Sequence, residues 1–568
     1  MTKNLETGQG LGGHTLDDNL FGDYLAYTPF NLFTHKKPRA PNTAEFKQEL
    51  YPEQPITQDD SNPITFNMVG QIDKFCYLDS IELLGTTILE RKKAEGNGWE
   101  PIVFEEDLVR VVNNHQHAMF GKIVVQLNET EIVDPSSNPY PYTSYLTTLF
   151  NTKKSYKEEQ LSVTQGYYLD DPKKHNSFQN LTNPEWSECC LLTAGEIIVN
   201  KDKLKLTPAG PGYLSKHATV TETQAFQPTT TEALNLLTNV TIEDGFITVN
   251  DLVMRKPDMS KSNSGWSRRR RYYDQGKSVG EGRNNKAVAS EVFFISNIQH
   301  DIATSSNVLP PNTKIRFLFT KMPDSFTILQ TKGSKELDKK YRLRLVDMRL
   351  RITSVEVIDR LAAEYMRNLR RGITPKIYFT RNFIKSYTVI PAHFADFGNN
   401  NFITNNIIPD TIVIGFVKQD AYLGNSTSNP FFFEEIEFNQ INLIINGFSE
   451  PKKPMKNITQ EDKLLMYEDL QRTCGKNQKT SESLDLSFKQ WSGGGYFFLY
   501  FDLTLAKDNR ATPNPVRRGN LSIVLKTHEP EKLQNDATRG CNWSVIVFCV
   551  YSSMIEFHGD HIEVTQFT

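Results

Sequence analysis

The sequence predicts an all-β protein made of two similar halves, and three observations carry that reading. Beyond residue 60, strand-length apolar runs alternate with turn signals almost to the end of the chain. A corner of strand, tight turn, proline exit and helix occurs twice. It appears in "KIVVQLNETEIVDPSSNPYPYTSYLTTLF" (122–150) and in "NPFFFEEIEFNQINLIINGFSEPKKP" (429–454) followed by "ITQEDKLLMYEDLQR". Between the two halves stands a separate helical pattern, "VIDRLAAEYMRNLR" (357–370).

Length and composition set the frame. At roughly 100–200 residues per domain, 568 residues suggest two to four domains. The 38% hydrophobic content, with 35 phenylalanines, is enough for large cores. A net charge of −3 argues against a protein that neutralises many phosphates. None of the six cysteines forms a C-x-x-C pair, so reduced and mostly buried thiols are expected. "MTKNLETGQG" shows no basic stretch before an apolar core, and no apolar run reaches the ~18–20 residues of a spanning helix. The expectation is a protein that is not secreted.

Residues 1–60 read as a polar N-terminal arm tied down by patches such as "LFGDYLAYTPFNLF". Strands follow in "PITFNMV", "FCYLDSIELLGTTILERK" and "AMFGKIVVQL", the last alternating Ile123, Val125 and Leu127 on one face. In the first corner Asn128-Glu129 is the turn, a weaker hairpin pair than Asn-Gly. Pro141 suits a first helical position, and Tyr142, Tyr145, Leu146, Leu149 and Phe150 form the apolar stripe.

Two polar, turn-rich stretches, 152–235 and 256–286, read as long surface loops. Strands resume in "SEVFFISNIQHDI", "TKIRFLFTKM" and "YRLRLVDMRLRITSVEV". A helix over 357–370 places Ile358, Leu361, Ala362, Tyr365 and Leu369 on one face, and Gly372 and Pro375 end it. In the second corner Ile441, Leu443 and Ile445 alternate into Asn446-Gly447. Thr459 and Asp462 form a capping box, and Leu464, Tyr467 and Leu470 take helical spacing.

Motifs for chemistry are absent. "GKNQKTS" lacks the glycine spacing of a phosphate loop, and neither G-x-S-x-G nor H-E-x-x-H occurs. His115 and His117 in "NNHQHAMF", and His558 and His561 around "GD", could ligate a metal. Neither pair comes with a second cluster at structural-zinc spacing, so ordinary polar positions are expected. The run Arg268 to Arg271, followed by Tyr272 and Tyr273, has the chemistry of a phosphate grip. Its neighbours Asp274 and Glu281 favour a solvated loop or a contact with an acidic group. No catalytic, cofactor-binding or metal residues are expected.

The strand pattern resembles the major capsid proteins of adintoviruses and Polinton (Maverick) elements. The segments that carry the resemblance are "IPDTIVIGFV", "NPFFFEEIEFNQINLIINGFSEPKKP", "YFFLYFDLTL", "RRGNLSIVLKTHEP" and "VIVFCVYSSMIEF" in the second half. "LNETEIVDPSSNPYPYTSYLTTLF" and "SNIQHDI" match in the first. It spans most of 60–568 and departs at Glu129, where Asn-Gly is expected, and in the long 152–235 loop.

The resemblance implies a double jelly roll: two eight-stranded β-sandwiches in tandem, with a few short helices and long surface loops. On that basis residues 61–356 are the first roll, with the loops 152–235 and 256–286 inserted. Residues 357–372 are a connecting helix and 373–568 the second roll. The function it implies is a major capsid protein whose pseudo-hexagonal homotrimers assemble into the icosahedral shell of a double-stranded DNA virus or virus-like transposon. Its implied partners are itself, neighbouring trimers and penton or minor capsid proteins, with no specific nucleic-acid sequence. Its place is the virion, assembled in the host nucleus or cytoplasm. The alternative is a tandem β-sandwich, lectin-like adhesion protein; an enzyme on a β scaffold is a third class.

Overall fold

Along residues 120–127 the side chains of Ile123, Val125 and Leu127 are buried, while Lys122, Val124 and Gln126 are only half-buried. That period of two is what a strand shows when one face lies on a core. The computed structural model describes residues between 42 and 566. The longer stretches outside it are 1–41, 133–138, 172–194, 209–217, 224–239, 256–263, 280–285, 331–339, 390–401, 474–483, 505–516 and 528–542.

Eight strands build the first sandwich: β1 (Asn42–Leu50), β2 (Ile64–Met68), β3 (Glu82–Lys92), β4 (Phe120–Leu127), β5 (Thr130–Glu131), β6 (Val292–Asn297), β7 (Ile315–Lys321) and β8 (Tyr341–Val357). They pair as β6-β3-β8-β1 in one sheet and β2-β7-β4-β5 in the other, all antiparallel. Eight more build the second: β9 (Lys376–Val389), β10 (Phe402–Thr404), β11 (Thr411–Lys418), β12 (Phe438–Ile445), β13 (Phe448–Asn457), β14 (Phe498–Asp502), β15 (Leu521–Thr527) and β16 (Trp543–His558). These pair as β14-β11-β16-β9 and β10-β15-β12-β13.

The two orders are the same strand for strand, and each is the order of a jelly roll. The chain is therefore a double jelly roll. The likeness extends to detail. The long strands β8 and β16 overhang their neighbours β3 and β11, and short strands, Lys74–Tyr77 and His561–Gln566, pair with the overhangs. Both turns that follow the fourth strand of a roll have positive φ at two successive residues: Asn128 and Glu129, then Asn446 and Gly447. That is the backbone of a type I′ hairpin. The weaker pair in the sequence thus adopts the same turn as the stronger one.

The elements between differ from the sequence reading in three places. Asn42–Leu50, read as part of an arm, is a strand paired along β8 from Val357 to Leu350. The stretch read as a polar loop over 152–235 contains strands. With the residues after it, it builds a six-stranded antiparallel sheet of Gly195–Val199, Asp202–Pro208, Ala218–Thr223, Val240–Glu243, Phe246–Val249 and Leu252–Arg255. Short alternations such as Leu204 and Leu206 carried the signal, and the surrounding Gly, Pro and Thr obscured it. The arginine run read as loop lies on a helix, Ser264–Arg271.

A helix over Asp359–Arg370 lies between the rolls. Its end is a Schellman motif: Gly372 takes φ +75°, its N–H reaches Leu369 O at 2.9 Å, and Ile373 N–H reaches Asn368 O at 3.0 Å.

Each roll has its own core, but neither core is closed by its own residues alone. The first gathers Phe66, Phe317, Phe319, Leu83 and Leu350 together with Ile377, Phe379, Ile555, Phe557 and Ile562 from the second half. The second gathers Phe433, Phe498, Trp491 and Trp543 together with Tyr142, Tyr145, Leu146 and Phe326 from the first.

Candidate functional site: the junction between the two rolls

The first corner supplies the centre of this junction. Its helix, α1 (Tyr140–Asn151), begins after Pro139 and has Pro141 in its first turn, where a missing N–H costs nothing. Every residue from Tyr140 to Leu149 is buried. A helix buried all round must lie inside a core rather than on a surface. The Tyr145 ring stacks on Phe431 at 4.3 Å, and Tyr142 stacks on Tyr422 at 5.5 Å. Tyr142 Oη donates to Pro430 O at 3.0 Å, and Phe150 meets Phe498 edge-on at 5.4 Å. All of these partners belong to the second roll.

The second corner behaves differently. Its helix, α2 (Gln460–Thr473), starts at the predicted capping box. Asp462 N–H donates to Thr459 Oγ1, and Thr459 N–H donates to Asp462 Oδ2, both at 3.1 Å. Met466 and Leu470 are buried, and Tyr467 Oη donates to Leu486 O at 2.7 Å. Leu464 and Leu465 are 50% and 58% exposed, so Leu464 does not belong to the buried stripe that its spacing suggested. The inward face is rotated onto Met466 and Leu470.

Beside α1 lies a buried polar latch. Arg269 and Asp170, each almost wholly buried, form an ion pair at 2.6 Å. Arg269 Nε also donates to Val111 O at 2.9 Å, and its guanidinium reaches Tyr168 O. From the second roll, Tyr496 Oη accepts from Asp170 N–H at 2.9 Å, and Asn429 Nδ2 donates to Asp170 Oδ2 at 3.4 Å. Burial holds the phenols of Tyr145 and Tyr496 well above the usual range, so both stay neutral. Arg270 is buried as well and donates to Phe104 O and Asp107 O. Half of the arginine run is thus interior; of the two readings held open for it, contact with an acidic group holds for Arg269, and the solvated loop does not. Arg268 is exposed, 5.7 Å above the Tyr168 ring.

His115 and His117 lie on a one-turn helix, His115–Ala118, and are wholly buried. Burial, reinforced by Arg269 and His117, pulls His115 down to about 3, and burial brings His117 down to about 4. Both rings are neutral at pH 7, and His117 Nδ1 meets Tyr140 Oη at 2.8 Å. His558 and His561 are ladder partners of two paired strands. Among the described residues no group of three or more His, Cys, Asp or Glu is placed to hold a metal ion. Cys76 and Cys549 are buried and unpaired; Cys189, Cys190, Cys474 and Cys541 lie outside the described residues. No described helix is long and apolar enough to cross a membrane.

The sequence did not announce the latch. Asp170 and Tyr496 are 326 positions apart, and neither sits in a motif. What the junction can do is cohere: aromatic stacking and a satisfied buried ion pair fix one roll against the other.

The fold and junction thus define a double jelly-roll protein with interlocked rolls. No family model matches the chain. Among curated proteins it is similar to the uncharacterized protein F54H12.2 of Caenorhabditis elegans, 21% identical over 252 residues, which are 44% of this chain and 59% of that protein. The match therefore spans less than two thirds of that relative. Among solved structures it is similar to a chain of the Sputnik virophage solved by cryo-EM, at 8% identity and TM-score 0.48, covering 93% of this chain and 89% of that one. It is similar also to the mavirus major capsid protein, at 11% identity and TM-score 0.43, covering 92% and 90%. The Faustovirus major capsid protein is matched at 8% identity and TM-score 0.48, covering 100% and 96%. The assignment of the fold rests on the strand order of the two sandwiches.

Proposed function

We propose that this chain is a viral-type major capsid protein, of the kind found in adintoviruses and Polinton (Maverick) elements. Its homotrimers form pseudo-hexagonal tiles, and the tiles assemble an icosahedral shell around double-stranded DNA. The observation that carries this reading is the repetition of one eight-strand order in one chain, with matching fourth-strand turns and a helix after each fifth strand. Two such rolls locked side by side present two similar outer walls, and three copies around an axis give six. The sequence resemblance of both halves supports the same reading.

On this proposal residues 61–356 and 373–568 are the two rolls, 357–372 connects them, and 1–60 contributes an arm together with the first strand. The partners are other copies, then penton or minor capsid proteins, in a virion assembled in the host nucleus or cytoplasm. The role is structural, not enzymatic. Subunit faces within a trimer bury large apolar areas, as obligate oligomers do.

Light scattering of the purified protein tests it. The expected mass is three times the 65.0 kDa chain, and negative-stain images show hexagonal outlines. A monodisperse monomer across salt and pH overturns the reading.

A further inference from the structure

Two helices carry apolar side chains that their own chain leaves uncovered. In the helix Asp359–Arg370 none of the residues is buried, although a surface helix normally covers its apolar stripe against the core. Ala362, Tyr365 and Asn368, three apart, are half-buried, and Tyr365 rests edge-on against Phe75 at 5.4 Å. That leaves Arg360, Met366, Arg367 and Arg370 outward, with Leu361 and Leu369 at the margins, all exposed. Met366 is 50% exposed, and Ile373, just beyond the end, 55%. Arg360, Arg367, Arg370 and Arg371 outnumber Asp359 and Glu364, so the patch is basic as well as apolar.

The corner helix α2 has the opposite character. Because Met466 and Leu470 point inward, its outward stripe is Glu461, Leu464, Leu465, Glu468 and Arg472, all exposed. Ile458, just before the helix, is exposed too. Lys463 is turned aside to Glu435 at 2.8 Å, and Arg472 lies 3.4 Å from Glu468 at the far end. Glu461, Asp462, Glu468 and Asp469 outnumber Lys463 and Arg472. One helix therefore has two more cations than anions, and the other two more anions than cations. Their 12 and 14 residues make them about 18 and 21 Å long. Length, apolar content and charge sign all match.

We infer that the helix Asp359–Arg370 of one copy packs on α2 of a second copy. Leu361, Met366 and Leu369 meet Leu464 and Leu465, and the arginines lie against Glu461 and Glu468. Pairing either helix with its own counterpart would set arginine on arginine or glutamate on glutamate, which is repulsive. The contact therefore joins two different patches, and a contact of that kind closes into a ring or runs on as a filament. The inference rests on the self-association in the proposed function and assigns that ring its surfaces. Three copies around one axis use each helix once.

Cross-linking between copies tests it. Full-length Met366→Cys and Leu465→Cys variants, differently tagged, are mixed and treated with a short bismaleimide. The parent, with its native cysteines, and each variant alone are the controls. The expected result is a 366–465 link between tags, at least about tenfold above the controls, located by peptide mass spectrometry. Arg367→Glu with Arg370→Glu should raise the dissociation concentration about tenfold, as should Glu461→Lys with Glu468→Lys. The chain carrying all four changes should return to the parent's value. Association without a 366–465 link overturns the inference and leaves the capsid reading standing. A parent that stays monomeric at every concentration overturns both. A 366–366 link in the Met366→Cys variant alone overturns the inference by making the face self-paired. So does shielding of position 366 that arises only with phosphatidylserine vesicles or with duplex DNA, which assigns the face to that surface instead.

Discussion

Asn446 grips Asn520 through both backbone and side chain: its N–H donates to Asn520 O at 3.0 Å, and its Oδ1 accepts the Asn520 N–H at 2.9 Å. Asn128 holds Lys314 in the same way, at 3.0 and 2.8 Å. In each roll, therefore, the fourth-strand turn is pinned to the residue just before the seventh strand. The two asparagines have the same job in the two halves.

The turns differ at their second residue, and there a substitution should help. Glu129 holds φ +69°, where Gly447 holds +86°. A left-handed backbone costs a residue with a Cβ about 1–2 kcal/mol, part of which is offset by the freedom glycine loses on folding. Glu129→Gly should stabilise by about 0.5–1 kcal/mol. Asn446→Ala removes the side-chain half of the grip and should cost about 1–2 kcal/mol. Thermal melting of both variants reads the opposite signs.

Leu146 and Leu465, one on each corner helix, should respond very differently. Leu146 is 1% exposed and lies in the second roll's core, whereas Leu465 is 58% exposed. Truncating a packed leucine costs about 2–5 kcal/mol, and a buried carboxylate adds to that. Leu146→Asp should give insoluble protein or a sharp fall in Tm, with proteolysis opening the second roll first. Leu465→Asp should leave the melting of an isolated chain nearly unchanged. If it lowers self-association instead, its surface is a contact between copies.

The arginine run should divide into interior and exterior members. Arg269→Ala leaves Asp170 buried without its ion pair, and breaking such a pair costs about 3–5 kcal/mol. Arg268→Ser, at an exposed position, should stay within about 0.5 kcal/mol. Denaturant melts of the two single variants distinguish these outcomes. Equal small effects would mean that the latch contributes nothing.

Acid should loosen the fold before carboxylates titrate. His115, His117 and His300 are buried, and burial lowers them to about 3, 4 and 4. A group whose folded pKa is depressed binds its proton in the unfolded chain first. Stability is therefore lost as pH falls from about 6.5 toward 4, with a slope of about 1.4 kcal/mol per unit for each ring. Asp301 runs the other way. Burial raises it to about 7, against hydrogen bonding from Asn382 of the second roll at 2.9 Å. Its contribution is full below its unfolded value and is lost as pH rises through about 7. Asp301→Asn should therefore raise Tm above pH 7 relative to the parent. Tm against pH, for both proteins, checks each sign.

Legibility varied with the distance over which a signal acts. Strand alternation at Ile123, Val125 and Leu127, the Asn446-Gly447 turn, the Thr459–Asp462 box and the Gly372 stop are local, and each was read from neighbours within four residues. The partners of α1 were not legible, because the stripe of Tyr142 and Tyr145 specifies that something apolar covers it but not which roll. The arginine run is legible only in part for a related reason. Asp274 and Glu281 nearby suggest solvent or an acidic contact, and the acidic partner that makes the interior placement of Arg269 tolerable, Asp170, is 99 positions away.

The interlocked cores dictate an order of events at the ribosome. Ile555, Phe557 and Ile562 complete the hydrophobic interior of the first roll, yet they follow Val357, the end of its last strand, by about 200 positions. At roughly 5–20 residues per second, the N-terminal half waits some 10–40 s for them after its own last strand emerges. During that wait it is an unfinished sandwich with an open seam, in need of protection from its neighbours on the same polysome. The delay also means that no fragment cut short by premature termination can present a finished wall, so truncated products are excluded from whatever the full chain builds.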